Sequence, residues 1–394
     1  MHLDPLLPPI VGVVLVILLT GLVMKRLRQP FVVGCLIAGV ILGPHVIGLL
    51  KDEHLIGRLG AFGVVLLLFF VGMETSPPAL ATRWRVAVLG TLLQVSVSVG
   101  CVALVGLAND WSLGRILLLG FVISLSSTAV VFRLLTESGE TNTEAAQSVT
   151  VILISQDVLI VPMLIVLGLV SGATAEPGAG IGQMLGGLAI LALVAWMIQK
   201  RTLHLPFASL AERDHEIGVF AAITPCLVLA VLTGLLGLST GLGAFVGGML
   251  LSMTQETRWV SLSLRPFETV FVGLFFVSIG MLLDLGFLAQ HAVLLLLIVL
   301  LVLVSNTLIN GLILRVLGHN WRESLYAGAL LAQIGEFSFV LAALGLQVDL
   351  IGQFAYQTTI AAITLSIILS PAWVRLFRRL TGVKAIAPEP AHVP

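Results

Sequence analysis

Charged residues and cysteines are both scarce in this sequence. Charged side chains make up 10% of the 394 residues, whereas a soluble globular protein carries about 25%. A chain with so little charge cannot cover a water-facing surface, which excludes a soluble enzyme and a disordered regulator. The three cysteines, Cys35, Cys101 and Cys226, lie inside apolar runs and form no CxxC pattern. They are predicted to be small core residues, and neither a disulfide framework nor a metal site is indicated.

The sequence also has no excess of either charge. Twenty Lys and Arg residues balance twenty Asp and Glu residues, so nothing points to nucleic acid or to an acidic partner. The chain is instead rich in apolar residues, with 58% hydrophobic residues and a mean hydropathy of +1.12. This composition indicates an integral membrane protein whose first partner is the lipid bilayer.

The apolar segments predict an all-α polytopic membrane protein. A helix needs about 20 apolar residues to cross the hydrocarbon core, and alternating strand patterns of a β-barrel are not found. On this scale we predict about 13 transmembrane helices. They cover residues 8–24, 31–50, 57–73, 85–108, 115–136, 145–170, 182–199, 215–236, 239–253, 266–285, 291–317, 323–346 and 353–379.

Basic residues set the predicted orientation, because they are concentrated in cytoplasmic loops. With the N-terminus outside and the C-terminus in the cytoplasm, Lys51, Arg58 and Arg115 face outward and the remaining Lys and Arg residues face inward. We therefore expect a multi-pass protein of the cell inner (plasma) membrane with an N-out, C-in topology.

Two predicted spans are interrupted by small polar residues at mid-membrane depth. The fifth contains the run 124–129 (SLSSTA) and the twelfth contains 333–338 (QIGEFS). Their span numbers differ by seven, so the two spans run in opposite directions. Paired interruptions of this kind predict inverted repeats with two crossed discontinuous helices.

The repeats give the predicted domain organisation. The first repeat covers about 1–170, a linker helix about 182–199, and the second repeat about 215–380. Together they form one transmembrane domain over 1–384, and the Pro/Ala-rich segment 385–394 is predicted to be a disordered cytoplasmic tail.

Two acids, Asp157 and Glu336, lie deep in predicted spans, where ionisable groups are costly and usually functional. We interpret Asp157 as a carboxylate that binds a proton or a monovalent cation, because a low-polarity site lets the two compete. The alternative is a protonated acid that serves only helix packing. Candidate cation ligands are the amide oxygen of the adjacent glutamine and the hydroxyls of the fifth span: Gln156, Ser126, Ser127 and Thr128.

Glu336 is predicted to have a structural role. Exposed helix ends carry about half an elementary charge each, and an acid at the crossing of two broken helices neutralises them. Gln333 and Asn306 are predicted to support the same crossing, and direct ion binding by Glu336 is the alternative. The histidines form no HExxH motif and no GxSxG motif occurs, so we expect neither an enzyme nor a cofactor beyond the transported ions.

Three segments of the sequence resemble a known family. The residues 124–131 (SLSSTAVV), Ser155-Gln156-Asp157 with Pro162, and 333–340 (QIGEFSFV) resemble the cation:proton antiporter-2 family, especially its Kef-type potassium/proton members with a sodium/hydrogen exchanger-like transmembrane domain. The resemblance implies an antiporter fold whose six-helix core moves against a dimerisation scaffold, and hence a homodimer. It also implies that Asp157 carries the ion and the proton.

The sequence departs from the family pattern in two places. Many members have a lysine at the position of Asn306, and without that cation electroneutral exchange is favoured. Kef-type proteins usually continue into a cytoplasmic nucleotide-binding regulatory domain, whereas this sequence ends at Pro394. We therefore expect that domain to be separate or missing.

These observations predict a secondary active antiporter that exchanges a monovalent cation, K⁺ first, for H⁺. Asp157 would bind either ion but never both, and that exclusion would couple their movement. The alternatives are a Na⁺/H⁺ antiporter of the same fold and a gated cation channel.

Overall fold

The computed structural model is built of helices. It describes residues 7–27, 29–44, 46–49, 53–74, 85–140, 143–171, 215–236, 238, 240–253 and 258–383, and scattered positions between 186 and 196. A single turn of π-helix, Arg85–Gly90, precedes α4. The α-helices of the described residues are α1 (Leu7–Arg26), α2 (Phe31–Leu42), α3 (Glu53–Glu74), α4 (Thr91–Leu107), α5 (Leu113–Ser124), α6 (Thr128–Glu137), α7 (Glu144–Val170), α8 (His215–Leu235), α9 (Thr240–Ser252), α10 (Arg258–Met281), α11 (Leu285–Gln290), α12 (Ala292–Val316), α13 (Trp321–Leu330), α14 (Phe337–Gln347) and α15 (Gln353–Thr381).

Several of these helices match the predicted spans closely. Among the described residues, five helices are long and apolar enough to cross a membrane: Val86–Leu107, Glu144–Val170, Glu216–Leu235, Ala292–Val316 and Gln353–Thr381. Shorter apolar helices occur at other predicted spans, including Phe31–Leu42 and Thr240–Ser252. The multi-pass helical class predicted from the sequence is therefore confirmed.

The second predicted span, 31–50, is too long. Helix α2 ends at Leu42, and Gly43 follows it in an extended conformation with a ψ of 171°. Pro44 comes next, and the residue before a proline is disfavoured in the helical region. The chain then turns, with the N–H of Ile47 bonded to the carbonyl of Ile41.

The chain folds as two units. Unit 1 comprises Met1–Ala79 and Val161–Leu285, and unit 2 comprises Leu80–Ile160 and Gly286–Pro394. Unit 1 thus combines the first three predicted spans with residues of the seventh to tenth, and unit 2 combines the fourth and fifth and most of the sixth with the eleventh to thirteenth. In unit 2, α4 packs on α5 as α12 packs on α13, so corresponding pairs recur. The limits of the repeats stay predictions, and most of the linker helix 182–199 and all of the tail 385–394 lie outside the described residues.

Within unit 1, helices approach closely at glycines. A Cβ atom added at Gly39 of α2 would overlap the backbone of α10 at Val277, and one added at Gly280 would overlap the carbonyl of Leu36. Small residues at such crossings let two backbones come into contact. Gly243 and Gly247 of α9 likewise face the backbone of α8.

The three cysteines do not share one environment. Cys35 and Cys226 are buried, as predicted, but Cys101 is exposed on α4. The prediction for Cys101 is therefore wrong. Helix α4 is apolar on all sides apart from a few polar positions, so an apolar sequence around a cysteine does not distinguish a protein-facing position from a lipid-facing one.

Candidate functional site

The two polar interruptions both break their helices, and they meet in unit 2. The first break separates α5 from α6 at residues 125–127, and the second separates α13 from α14 at residues 331–336. The N–H of Gly335 donates to the carbonyl of Leu125 at 2.8 Å. A Cβ atom at position 335 would lie 2.6 Å from the backbone of Ser126. Only glycine at position 335 therefore permits the two broken segments to approach so closely.

The broken helices run in opposite directions through the crossing. At its start, α14 bonds to α5, with the Ser338 hydroxyl donating to the carbonyl of Val122 at 2.7 Å. Two turns further along α14, Gly345 lies against the side chain of Leu118. The residue numbers rise along α14 while they fall along α5. This antiparallel relation confirms the crossed discontinuous helices predicted from the sequence.

Side-chain amides satisfy the carbonyl groups exposed where helices end. The Asn306 amide donates to the carbonyl of Ile123 at 2.8 Å and to that of Ala332 at 3.1 Å. The Gln94 amide donates to the carbonyl of Ser124 at 2.9 Å. Since the last carbonyls of a helix lack partners within it and carry partial negative charge, these amides stabilise both breaks without a formal positive charge.

Hydrogen-bond acceptors lie at the opposite ends, where α6 and α14 begin. Glu336 immediately precedes α14, and its Oε2 accepts a hydrogen bond of 2.5 Å from the Ser127 hydroxyl. The Ser127 Oγ also accepts from the N–H of Val130 at 3.3 Å, which caps the first turn of α6. Negative charge near a helix N-terminus is stabilising, so Glu336 lies where a neutralising acid would act, and that role stays a prediction.

Asp157 lies on α7 beside the start of α6. It is partly buried, and the Thr128 hydroxyl lies 3.3 and 3.2 Å from its two carboxylate oxygens. Helix α6 begins at Thr128, so the carboxylate stands next to a helix N-terminus at mid-span. A partly buried acid within a span is a candidate for binding an exchangeable proton or cation, and that role of Asp157 stays a prediction.

Gln156 and Ser126 are brought to the same place, but their polar atoms contact protein. Gln156 Oε1 accepts from the N–H of Ser126 at 3.0 Å, and its amide donates to Gln94 at 2.7 Å. The Ser126 hydroxyl donates to the carbonyl of Leu331 at 2.8 Å. Gln333 is fully buried, and its amide lies 3.4 Å from the carbonyl of Ser127. Cation binding by Gln156 and Ser126 stays a prediction, and here both join the two breaks together.

Sequence reasoning missed several residues of this crossing. Gln94 links Gln156 to the end of α5, and Ser366 on α15 accepts from the N–H of Ile334 at 3.1 Å. Gln94, with Thr91 and Ser98, forms a buried polar stripe on an otherwise apolar helix. That stripe at helical spacing was the available signal, because polar groups in a membrane span need partners.

The chain is similar to several known proteins. Residues 13–377 match the family described as sodium/hydrogen exchanger, transmembrane. The chain is 36% identical over 374 residues to the iron transporter MagA of Paramagnetospirillum magneticum, covering 95% of this chain and 86% of the relative. It is 34% identical over 378 residues to K(+) efflux antiporter 5 of Arabidopsis thaliana, covering 94% of this chain and 66% of the relative.

A solved structure has the same fold. The sodium proton antiporter MjNhaP1 of Methanocaldococcus jannaschii matches with a TM-score of 0.70 and 17% identity, covering 97% of this chain and 99% of that one. At this identity the likeness concerns the fold alone. The resemblance to antiporters that the sequence motifs indicated is confirmed by these comparisons.

Proposed function

Because the chain belongs to the sodium/hydrogen exchanger family, we propose that it exchanges K⁺ for H⁺ across a cell membrane by alternating occupancy of Asp157. The observation that carries the proposal is the position of this carboxylate, partly buried beside Thr128 at the crossing of two discontinuous helices. A midplane site between broken helices is typical of secondary transporters.

Exclusive binding at one carboxylate supplies the coupling. When a proton occupies Asp157, the acid is neutral and has little attraction for a cation. When K⁺ occupies it, the carboxylate is ionised and the proton has left. Movement of unit 2 that exposes the site first to one side and then to the other completes the cycle without any further chemistry.

The neutral side chain of Asn306 supports electroneutral exchange. Its amide donates to the carbonyls of Ile123 and Ala332 without adding a positive charge. With no second titrating cation there, one proton is traded for one monovalent ion and no net charge crosses. K⁺ as the substrate is supported by the plant relative named K(+) efflux antiporter 5, while Na⁺ is the competing ion.

The proposal includes the setting of the protein. It is a multi-pass protein of the plasma membrane, with the N-terminus outside and the C-terminus inside, and it acts as a homodimer without a cofactor. The distribution of basic residues supports this orientation.

Transport by the purified chain in liposomes tests the function. The vesicles contain a lumenal pH dye, and K⁺, Na⁺ or Fe²⁺ is added. Each cation is tested with and without valinomycin or a protonophore. Fe²⁺ is included because one relative is named an iron transporter. We expect K⁺-driven proton movement that a clamped voltage leaves unchanged and that Asp157→Asn abolishes. Asp349→Asn is the matched control, because Asp349 is exposed and its positive φ of 54° suits asparagine.

Each other result selects an alternative. Na⁺-driven proton movement in place of K⁺ would identify a Na⁺/H⁺ antiporter of the same fold. Cation leak under voltage without proton movement would identify a channel. Unchanged exchange in Asp157→Asn would contradict the proposed mechanism.

A further inference from the structure

A second ionic group, with a buried acid and a partly exposed arginine, lies in unit 2 away from Asp157. It consists of Glu140, Tyr326 and Arg378. The Tyr326 hydroxyl donates to Glu140 Oε2 at 2.6 Å, Arg378 Nη2 lies 3.2 Å from Glu140 Oε1, and the same nitrogen donates to the tyrosine oxygen at 2.7 Å. Glu140 and Tyr326 are each only 2% exposed. The exchange mechanism uses none of the three.

Glu140 occupies the junction between the two helices that build the ion site. Its N–H donates to the carbonyl of Leu135 and so closes the end of α6. Its own carbonyl accepts from the N–H and the hydroxyl of Thr143, and the Thr143 Oγ1 accepts from the N–H of Ala146 in the first turn of α7. The position of Glu140 therefore fixes the end of α6 and the beginning of α7 together.

The ion site lies away from this junction on both helices. Helix α6 begins at Thr128, and Asp157 lies in the middle of α7. With a rise of 1.5 Å per residue, the ten residues of α6 place Thr128 about 15 Å from the junction. A shift at the junction therefore reaches the contact between Thr128 and Asp157 through α6 and the first half of α7.

Tyr326 belongs to α13, the half-helix that ends at the second break. Helices α6 and α13 are thus joined at two levels. At the crossing the Ser126 hydroxyl bonds to the carbonyl of Leu331, and at the far end the Tyr326 hydroxyl bonds to Glu140. An apolar cluster that includes Val131, Leu135 and Leu330 fills the space between the two levels.

We infer that Glu140, Tyr326 and Arg378 are positioning residues for cation binding at Asp157. They hold the α6–α7 hairpin in one register against α13 and α15, and so set the distance between the Thr128 hydroxyl and the carboxylate. A buried ion pair is a poor source of stability because of its desolvation cost, and its better-attested use is to specify one arrangement. The inference rests on the proposed function, since it concerns the affinity of the same site.

Tyr326→Phe is the sharpest variant, because it removes one oxygen and leaves the ring in place. The matched control is Tyr356→Phe, which changes the other tyrosine of the chain, also buried but on α15 and outside this cluster. Glu140→Gln is the second variant, and it keeps the shape while removing the charge. Each is compared with wild type for K⁺/H⁺ exchange in liposomes and for hydrogen–deuterium exchange over residues 124–131 and 331–338.

We expect Tyr326→Phe to raise the apparent KM for K⁺ about three- to tenfold, the size of a lost hydrogen bond, while the maximal rate stays close to wild type. Deuterium uptake at both breaks increases in the same variant, and Tyr356→Phe changes neither quantity. An unchanged KM with unchanged deuterium uptake overturns the inference, as does a fall in maximal rate at constant KM.

The two measurements separate this inference from the proposed function. If wild type moves no protons with any cation, the exchange proposal fails, and deuterium uptake still shows whether the cluster controls the crossing. If wild type exchanges ions and Tyr326→Phe leaves both readouts unchanged, the positioning role fails and the exchange proposal stands.

Discussion

Ser127 donates its hydroxyl to the carboxylate of Glu336 at 2.5 Å, although 209 residues separate them in the chain. This bond joins the beginning of α6 to the beginning of α14. It places the Glu336 carboxyl group where two helix N-termini meet, while Asn306 and Gln94 supply amide donors to the opposite helix ends. The crossing is thus stabilised by one carboxylate and two neutral amides.

The bond between Ser127 and Glu336 predicts coupled effects on stability. Glu336→Gln keeps the size and an acceptor but loses the charge, and we expect the free energy of unfolding to fall by about 1–2 kcal/mol. Ser127→Ala removes the other partner. Denaturant unfolding in detergent of both single variants and the double variant gives the coupling energy, which we expect to be at least about 0.5 kcal/mol. Strict additivity would show that the two side chains act independently.

Asn306 predicts a larger loss, because one amide serves both breaks. Asn306→Leu has a similar size and no donor, so the carbonyls of Ile123 and Ala332 lose a partner in a buried site. Each unsatisfied group costs about 1–3 kcal/mol, and the melting temperature should fall clearly. Asn109→Leu is the control, since Asn109 makes the same kind of bond to the carbonyl of Val105 on an exposed helix end. Equal losses in the two variants would contradict a special role for Asn306.

Gly335 predicts a steric effect. A methyl group at this position would lie 2.6 Å from the backbone of Ser126, and backbone atoms cannot turn away as a side chain does. We expect Gly335→Ala to destabilise the chain by about 1–3 kcal/mol or more and to impair transport. Gly352→Ala has open space around it, with nothing within 4 Å, and serves as the control. A stable and active Gly335→Ala protein would show that the two breaks do not need to approach so closely.

Competition at Asp157 predicts how transport depends on pH. As the pH falls, a proton occupies the carboxylate in more molecules, so the apparent KM for K⁺ rises, by at most about tenfold per pH unit for one competing proton. The maximal rate at saturating K⁺ changes much less, because excess cation displaces the proton. Initial rates over a grid of K⁺ concentration and pH measure both quantities. A KM that stays constant with pH would rule out a shared site.

Part of the architecture could be predicted from the sequence alone. Helix length and hydropathy predicted the membrane-spanning segments at α7, α12 and α15 to within a few residues, because the bilayer thickness imposes that length on any helix. The breaks near Ser126 and Gly335 were also predictable, since polar residues at mid-membrane depth conflict with a continuous apolar helix.

Other features lay beyond pattern reasoning. The exposed side of Cys101 depends on which neighbours a helix meets. The Glu140–Tyr326–Arg378 cluster combines residues from three distant segments, and none of them stands in the middle of an apolar run. From the sequence alone, Glu140 and Arg378 look like ordinary charged residues near helix ends, because only the fold brings them together with Tyr326.

The sequence by itself determined that this chain is a helical membrane protein with two interrupted spans and a deep acid at Asp157. Polar and ionisable residues are costly in lipid, so those that occur within a span are usually functional. Only the tertiary structure decided which groups meet at the breaks. It engages Gln156 with the backbone of Ser126 and with Gln94, and it puts Thr128 beside the carboxylate and Asn306 across both helix ends. The physical reason is that a hydrogen bond is fixed by distance and direction in space, which spacing along one chain does not specify.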